Sequence, residues 1–140
     1  MRIKLEVRDS TSDTLITDTA RLAAIMSTIY YDAAGTNIVE GTSYAAADVA
    51  TYAGINTTDY TAVTSGTAGV YYYEYTGGTP TYKFVDGTTA VLFTSIVVPT
   101  DMANATVALL GEYKLVISAQ AVQYENVADI AAARTVLNTL

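Results

Sequence analysis

Apolar and charged side chains alternate in MRIKLEVR, at the start of the chain. Ile3, Leu5 and Val7 occupy every second position, and the positions between them carry charges. Because successive side chains of a strand point to opposite faces, this period of two predicts a strand with one buried face. The segment TSDTLITD that follows is rich in turn-forming residues and predicts a loop.

Three segments carry helical signals. In residues 19–30 the apolar positions recur at helical spacing, and Asp18 precedes them as an N-cap. A second, short helix is predicted over residues 44–53, capped by Ser43, where alanines favour helix and Gly54 supplies a left-handed residue to end it. After Asn126, a good N-cap, an apolar stripe predicts a C-terminal helix that folds back over an end or edge of the sheet.

The segment VYYYEYTGGTPTYKFV contains two β-rich runs around Gly77-Gly78. Glycine readily adopts the positive φ angles of a tight turn, so the pattern predicts a hairpin. Within the first run, Tyr71, Tyr73 and Tyr75 share one face by their spacing.

Two further runs predict buried strands. After a turn at Asp86-Gly87, AVLFTSIVVP is apolar enough for a strand covered on both faces and ended by Pro99. The run YKLVISAQAV, residues 113–122, predicts a long central strand that leads directly into the last helix. Residues 55–68 and 100–104 are interpreted as connections.

The order of these elements favours one domain over residues 1–140. A strand, two helices, a series of strands with short turns and a final helix predict a mainly β fold. We expect an antiparallel jelly-roll-like β-sandwich with two or three accessory helices, one of them at the C-terminus.

Composition excludes more classes of function than classes of fold. The formal net charge of −7 argues against nucleic acid as a partner, and no window is apolar enough to predict a membrane span. The chain has no histidine and no cysteine, which removes the usual general base, the thiol nucleophile and the commonest zinc ligands. We therefore expect no enzymatic activity, no catalytic or metal site and no cofactor.

Three segments of the C-terminal half resemble the TasA/camelysin family of exported fibre and cell-surface proteins. They are the tyrosine-rich strand GVYYYEYTGG, the turn and strand DGTTAVLFTSIVVPT, and the strand and alanine-rich helix ISAQAVQYENVADIAAARTVL. Their order and spacing carry the resemblance, which covers about half the chain. The strand in MRIKLEV also resembles one that follows the first two strands in the family, which implies that a leader and first strands are missing here. Arg134 lies where many members have an aromatic residue.

The resemblance implies a jelly-roll-like, extracellular or cell-surface structural protein of a biofilm matrix or surface fibre. Its partners would be copies of itself or related matrix proteins, joined by strand pairing and subunit packing. Unpaired sheet edges offer a physical route to such assembly. The candidate assembly strand is the first one, Arg2, Ile3, Lys4, Leu5, Glu6 and Val7, and the candidate exposed aromatics are Tyr71, Tyr73 and Tyr75.

Two other functions fit the same residues. The tyrosine-rich strand is a candidate stacking platform for sugar rings, which would make the chain a carbohydrate-binding or adhesin module with a glycan as its partner. An acidic, threonine-rich chain without histidine is also typical of a phage or virion structural protein. Asp9, Asp13 and Asp18 match no EF-hand spacing, so solvated turns are a better interpretation of these carboxylates than a calcium site.

Overall fold

The computed structural model describes residues 1–78, 83–85, 87–123 and 127–140. The helices and strands within these ranges are β1 Arg2–Asp9, α1 Thr19–Met26, β2 Ile29–Tyr30, α2 Ala46–Val49, β3 Tyr60–Val63, β4 Val70–Tyr75, β5 Ser95–Ile96, α3 Asn104–Leu110, β6 Tyr113–Gln120 and α4 Ile130–Leu137. A short 3-10 turn, Ala50–Tyr52, continues α2.

The main sheet has four antiparallel strands in the order β3-β4-β1-β6. β1 pairs with β6 along its whole length, from Arg2 opposite Gln120 to Asp9 opposite Tyr113. On its other side β1 pairs with β4, with Leu5 opposite Tyr71. A second, two-stranded sheet joins β2 to β5.

Helix and strand occupy similar shares of the chain, about 23% and 24%. The predicted antiparallel sheet and the predicted C-terminal helix are confirmed. The fold is a mixed α/β one, however, and not the mainly β fold that the sequence suggested. The reason is that α3 forms where the sequence predicted no helix, and that β5 is much shorter than the predicted strand around it.

The core lies on the face of the main sheet that carries the odd-numbered residues of β1. Around Ile3 and Leu5 the buried side chains come from β2, β3, β4 and Leu92. Around Val7 they come from Ile16, from α1 and from Leu110 of α3. The alternation in MRIKLEVR therefore correctly predicted β1 and its buried face.

The start of α1 was predicted correctly, whereas its end and the start of the second helix were not. Asp18 caps α1 as expected, since its carboxylate accepts a hydrogen bond from the Arg21 backbone N–H. The helix ends before β2, because Ile29 and Tyr30 pair with β5. The second helix is capped at Ala45 and not at Ser43, although Gly54 has the predicted positive φ.

Helix α4 begins later than predicted. Its N-cap is Asp129, whose carboxylate accepts a hydrogen bond from the Ala132 backbone N–H. The predicted cap, Asn126, lies outside the described residues.

Three strand predictions are wrong. The Tyr113–Gln120 strand lies at an edge of the sheet and not at its centre. The segment AVLFTSIVVP contains only the short strand β5, in which Ile96 is half exposed. β4 does not form the hairpin predicted around Gly77-Gly78. Between Tyr72 and Glu74 it pairs with β1 on one side and with β3 on the other, so neither side is left for a hairpin partner. Part of its second run, and Asp86 of the next predicted turn, lie outside the described residues.

Candidate assembly surface

The first strand, predicted to be the assembly strand, is an interior strand of the sheet. β1 pairs with β4 on one side and with β6 on the other. The backbone of Arg2, Ile3, Lys4, Leu5, Glu6 and Val7 therefore has no free edge to offer to a second chain. The prediction failed because an alternating pattern shows which face of a strand is buried but does not show which strands lie beside it.

The long edge of the sheet is β6. It has eight residues and pairs with β1, and among the described residues no strand pairs with its other side. Lys114 is its only charged residue, and it contains neither proline nor glycine. Proteins commonly protect an exposed edge with charges, proline or bulges, and the segment Leu115–Gln120 has no charge and no proline.

The side chains of β6 leave apolar surface open beside this edge. Ile117 lies opposite Leu5 on the core face of the sheet, yet half of its surface (50%) is exposed. Leu115 is partly buried in the core, and Ala119 is exposed. An added strand would cover Ile117 and Ala119, and would use the free backbone N–H and C=O groups of β6.

β6 is held rigidly by its pairing with β1. Its eight positions are all in register with β1, whose Ile3, Leu5 and Val7 side chains lie in the core. At one end of β6, the hydroxyl groups of Tyr113 and Thr28 are 3.2 Å apart, within hydrogen-bonding distance. A strand fixed in this way loses little further conformational entropy when it binds a partner.

The tyrosines of β4 are not the exposed platform that the sequence suggested. Tyr71, Tyr73 and Tyr75 do share one face, as predicted, but that face is the core face. Tyr73 and Tyr75 are each only 5% exposed, and Tyr71 is partly buried. Burial, with a smaller contribution from Tyr71, raises the pKa of Tyr73 to about 12.

Aromatic contacts stabilise the inward-facing tyrosine side chains of β4. The rings of Tyr75 and Tyr60 meet edge to face with centroids 5.7 Å apart, and Phe84 meets the other side of Tyr75 at 5.2 Å. Such pairs add to the free energy gained by burying the rings. Coplanar exposed rings for sugar stacking are therefore not formed by this strand.

Helix α4 covers one end of the opposite face of the sheet, where Arg2 anchors it. The Arg2 guanidinium donates to Gln120 Oε1 at 2.9 Å, to Asn138 Oδ1 at 2.8 Å and to the Leu137 carbonyl. It also lies over the Tyr72 ring, 4.5 Å from the centroid. Arg2 thus joins the last turn of α4 to β6 and β4.

Arg134 makes a second link between α4 and the sheet. Its guanidinium donates from Nε and Nη2 to the buried carboxylate of Glu74, at 2.8 and 2.6 Å. This pair lines a groove of about 490 Å³ between α4, the end of β4 and Phe84. The buried carboxylate gives a physical reason for arginine at this position of α4.

The aspartates at the end of β1 and in the loop that follows it act within the chain. Backbone hydrogen bonds from Ser12 and Thr11 lower the pKa of Asp9, and hydrogen bonding from Lys114 lowers the pKa of Asp13. Asp18 caps α1. Within the described ranges, no group of three or more acidic side chains is arranged to hold a metal ion.

Asp32 is a buried carboxylate that organises the loop after β2. Its burial alone would raise its pKa, but hydrogen bonds from the Asn37 side chain and from the backbone N–H groups of Asn37, Ile38 and Ala34 lower it to about 2. Among these bonds, the Asn37 backbone donates at 2.6 Å.

We expect Asp32→Asn to lower the melting temperature near neutral pH. The NH₂ group of the amide would face N–H groups that now donate to the carboxylate. A folded pKa below the unfolded value stabilises the protein above about pH 4, and this contribution disappears as the pH falls toward 2. The melting temperatures of wild type and variant should therefore converge between pH 5 and pH 2. A constant difference across this range would contradict the role assigned to the carboxylate.

Sequence reasoning identified β6 as a strand but placed it at the centre of the sheet and not at its edge. The available signal was weak, because YKLVISAQ has apolar residues on both faces and this pattern is also typical of a central strand. The fall in hydropathy from Ser118 to Gln120 is compatible with an exposed edge, but the neighbours of β6 decide its position.

In the part of the chain that the structure describes, no helix is long and apolar enough to cross a membrane. Comparisons of the chain with protein-family models, with curated proteins and with solved structures found no match.

Proposed function

We propose that this protein is an exported structural subunit of an extracellular matrix or cell-surface fibre, and that it assembles by strand addition along β6. The observation that carries the proposal is the eight-residue edge of β6, whose outer side pairs with no described strand, with half-exposed Ile117 beside it. Strand addition uses main-chain hydrogen bonds for affinity and the flanking side chains for specificity.

The resemblance to the TasA/camelysin family supports the extracellular setting. In that family's jelly-roll-like sandwich, a second sheet faces the first. The β2–β5 sheet is the described element that supports this arrangement here, since Ile29 packs with Ile3 and Leu5 of the main sheet. Partners would be further copies of the chain or related matrix proteins.

The alternatives are supported less well. A glycan-binding module would need the tyrosine platform, and Tyr73 and Tyr75 are buried. A virion subunit would use the same strand-pairing chemistry, so the neighbouring genes decide between the two settings. A signal peptidase gene nearby favours export, and tail or capsid genes favour a virion.

Ile117→Lys is expected to weaken self-association by about tenfold or more, because a charged edge strand resists pairing. The measurement is sedimentation velocity over a range of protein concentrations, with negative-stain microscopy of the largest species. Wild type should show assembly that rises with concentration, and the variant should shift toward monomer.

Ile96→Lys is the matched control. Ile96 is also 50% exposed, so the substitution makes the same chemical change on β5, outside the main sheet. We expect the Ile96 variant to assemble like wild type. Assembly of the Ile117 variant at wild-type strength, or a wild type that remains monomeric at millimolar concentration, would overturn the proposal.

A further inference from the structure

The two edges of the main sheet differ in what they offer to a second chain. β6 has eight residues and half-exposed Ile117, whereas β3, at the other edge, has four residues with exposed Thr61 and Ala62. Each cross-strand pair contributes a small increment of free energy, so a joint that uses β6 on both sides makes about twice as many pairs as one that uses β3.

We propose that β6 pairs with β6 of a second copy across a twofold axis normal to the sheet, centred on Ile117. This inference rests on the proposed function and names the partner of the same surface. The axis makes the two β6 strands antiparallel, and the result is one continuous sheet of eight strands. Such a joint is isologous, because the same surface is used by both copies.

The faces of the sheet limit the possible registers. Directly opposed residues of antiparallel strands lie on one face, as Arg2 and Gln120 do in the pairing of β1 with β6. A twofold joint must therefore match odd positions with odd positions. Centring on Ile117 places the two Ile117 side chains side by side on the core face, and places Leu115 opposite Ala119 of the second copy.

The charges of β6 are compatible with this register. Lys114 is the only charged residue of the strand, and it lies near one end. In the antiparallel joint it falls opposite Gln120 of the second copy, far from the second Lys114. On the same face, Val116 falls opposite Ser118. The central segment is thus uncharged on both sides, and no like charges meet.

The exposed half of Ile117 makes the joint favourable. In the single chain this apolar surface faces water, although the neighbouring Leu5 is fully buried. Pairing removes it from water in both copies at once, which is a hydrophobic contribution in addition to the main-chain hydrogen bonds. The dimer would leave β3 at each end of the eight-stranded sheet, so growth into a fibre would need a second contact at β3 or on a sheet face.

The absence of cysteine from the chain allows a direct test by single-cysteine scanning. Val116→Cys, Ile117→Cys, Ser118→Cys and the control Ile96→Cys are oxidised mildly, and disulfide-linked dimers are measured on non-reducing gels. Two cysteines come within disulfide-bonding distance only at a position that lies directly opposite the same position of the second copy. We expect the highest dimer yield at Ile117, several-fold above the Ile96 control.

Hydrogen exchange on the wild type gives a second measurement that needs no substitution. Protection of β6 amides that rises with protein concentration supports the joint. The joint would be overturned if the cysteine variants of β6 gave no more disulfide-linked dimer than the Ile96 variant. It would also be overturned if the highest yield occurred at a position other than Ile117. Concentration-dependent assembly without β6 cross-linking would overturn this joint and leave the proposed function standing, whereas a monomeric wild type would end both.

Discussion

Arg2→Met is expected to lower the free energy of unfolding by about 3 kcal/mol. Arg2 is only 4% exposed, and its guanidinium donates to acceptors on β6 and at the end of α4. Methionine keeps much of the apolar stem but leaves those acceptors without their donor. It also removes a cation opposite buried Glu74, the cross-strand neighbour of Arg2.

Urea unfolding followed by circular dichroism measures the loss of stability. Trypsin provides a local measurement, because Arg134 is the only basic residue of α4. If Arg2 anchors the helix, the variant should be cut after Arg134 under conditions where wild type resists, and mass spectrometry would detect the released C-terminal peptide.

Lys4→Met is the matched control for Arg2. Lys4 lies two residues along the same strand and on the same face, but its ammonium makes one partly exposed ion pair, with Glu6 at 3.1 Å. A single, partly exposed ion pair contributes less than the several buried contacts of Arg2, so this change should lower stability by about 1 kcal/mol and leave α4 protected. Equal effects of the two substitutions would refute the anchoring role of Arg2.

Gly69→Ala is expected to destabilise the protein on the order of 3 kcal/mol. Gly69 has a φ of +77°, and a Cβ at this position would collide with the backbone carbonyl oxygen of Ile16. The same backbone is held in place by β1, since the Val7 N–H donates to the Gly69 carbonyl and the Ile16 N–H donates to the Val7 carbonyl. No flexible side chain is available to move aside.

Gly66→Ala separates the collision from the backbone strain. Gly66 has nearly the same φ, +72°, but a Cβ there would meet no atom within 4 Å. Its replacement should cost about 1 kcal/mol, the penalty of a left-handed alanine alone. If the two variants unfold at the same urea concentration, the collision expected at Gly69 does not lower stability beyond the backbone strain that both positions share.

Local signals were predicted well from the sequence. The Asp18 cap depends on a backbone N–H three residues away, and the buried face of β1 depends on alternation along one strand. The shared face of Tyr71, Tyr73 and Tyr75 follows from the same geometry. Each of these features is decided within a few residues, so a pattern in the chain is sufficient to predict it.

The candidate site depended on contacts between distant segments. The sequence indicated strands at β1, β4 and β6, but the assignment of a free edge to β1 and an exposed face to β4 was wrong. Tyr73 is buried because Ile29 and Leu92 pack in the same cluster, and neither lies near it in sequence. The four residues of β3 gave too short a pattern to predict that they would pair with β4.

The sequence by itself determined that this chain folds around amphipathic strands and capped helices, and that it lacks the histidine and cysteine of most catalytic and zinc sites. Only the tertiary structure decided that β1 is interior, that the tyrosines of β4 face the core and that β6 lies at an edge of the sheet. The physical reason is that side-chain alternation depends on the backbone of one strand, whereas the order of strands in a sheet depends on which distant segments bury the most surface together.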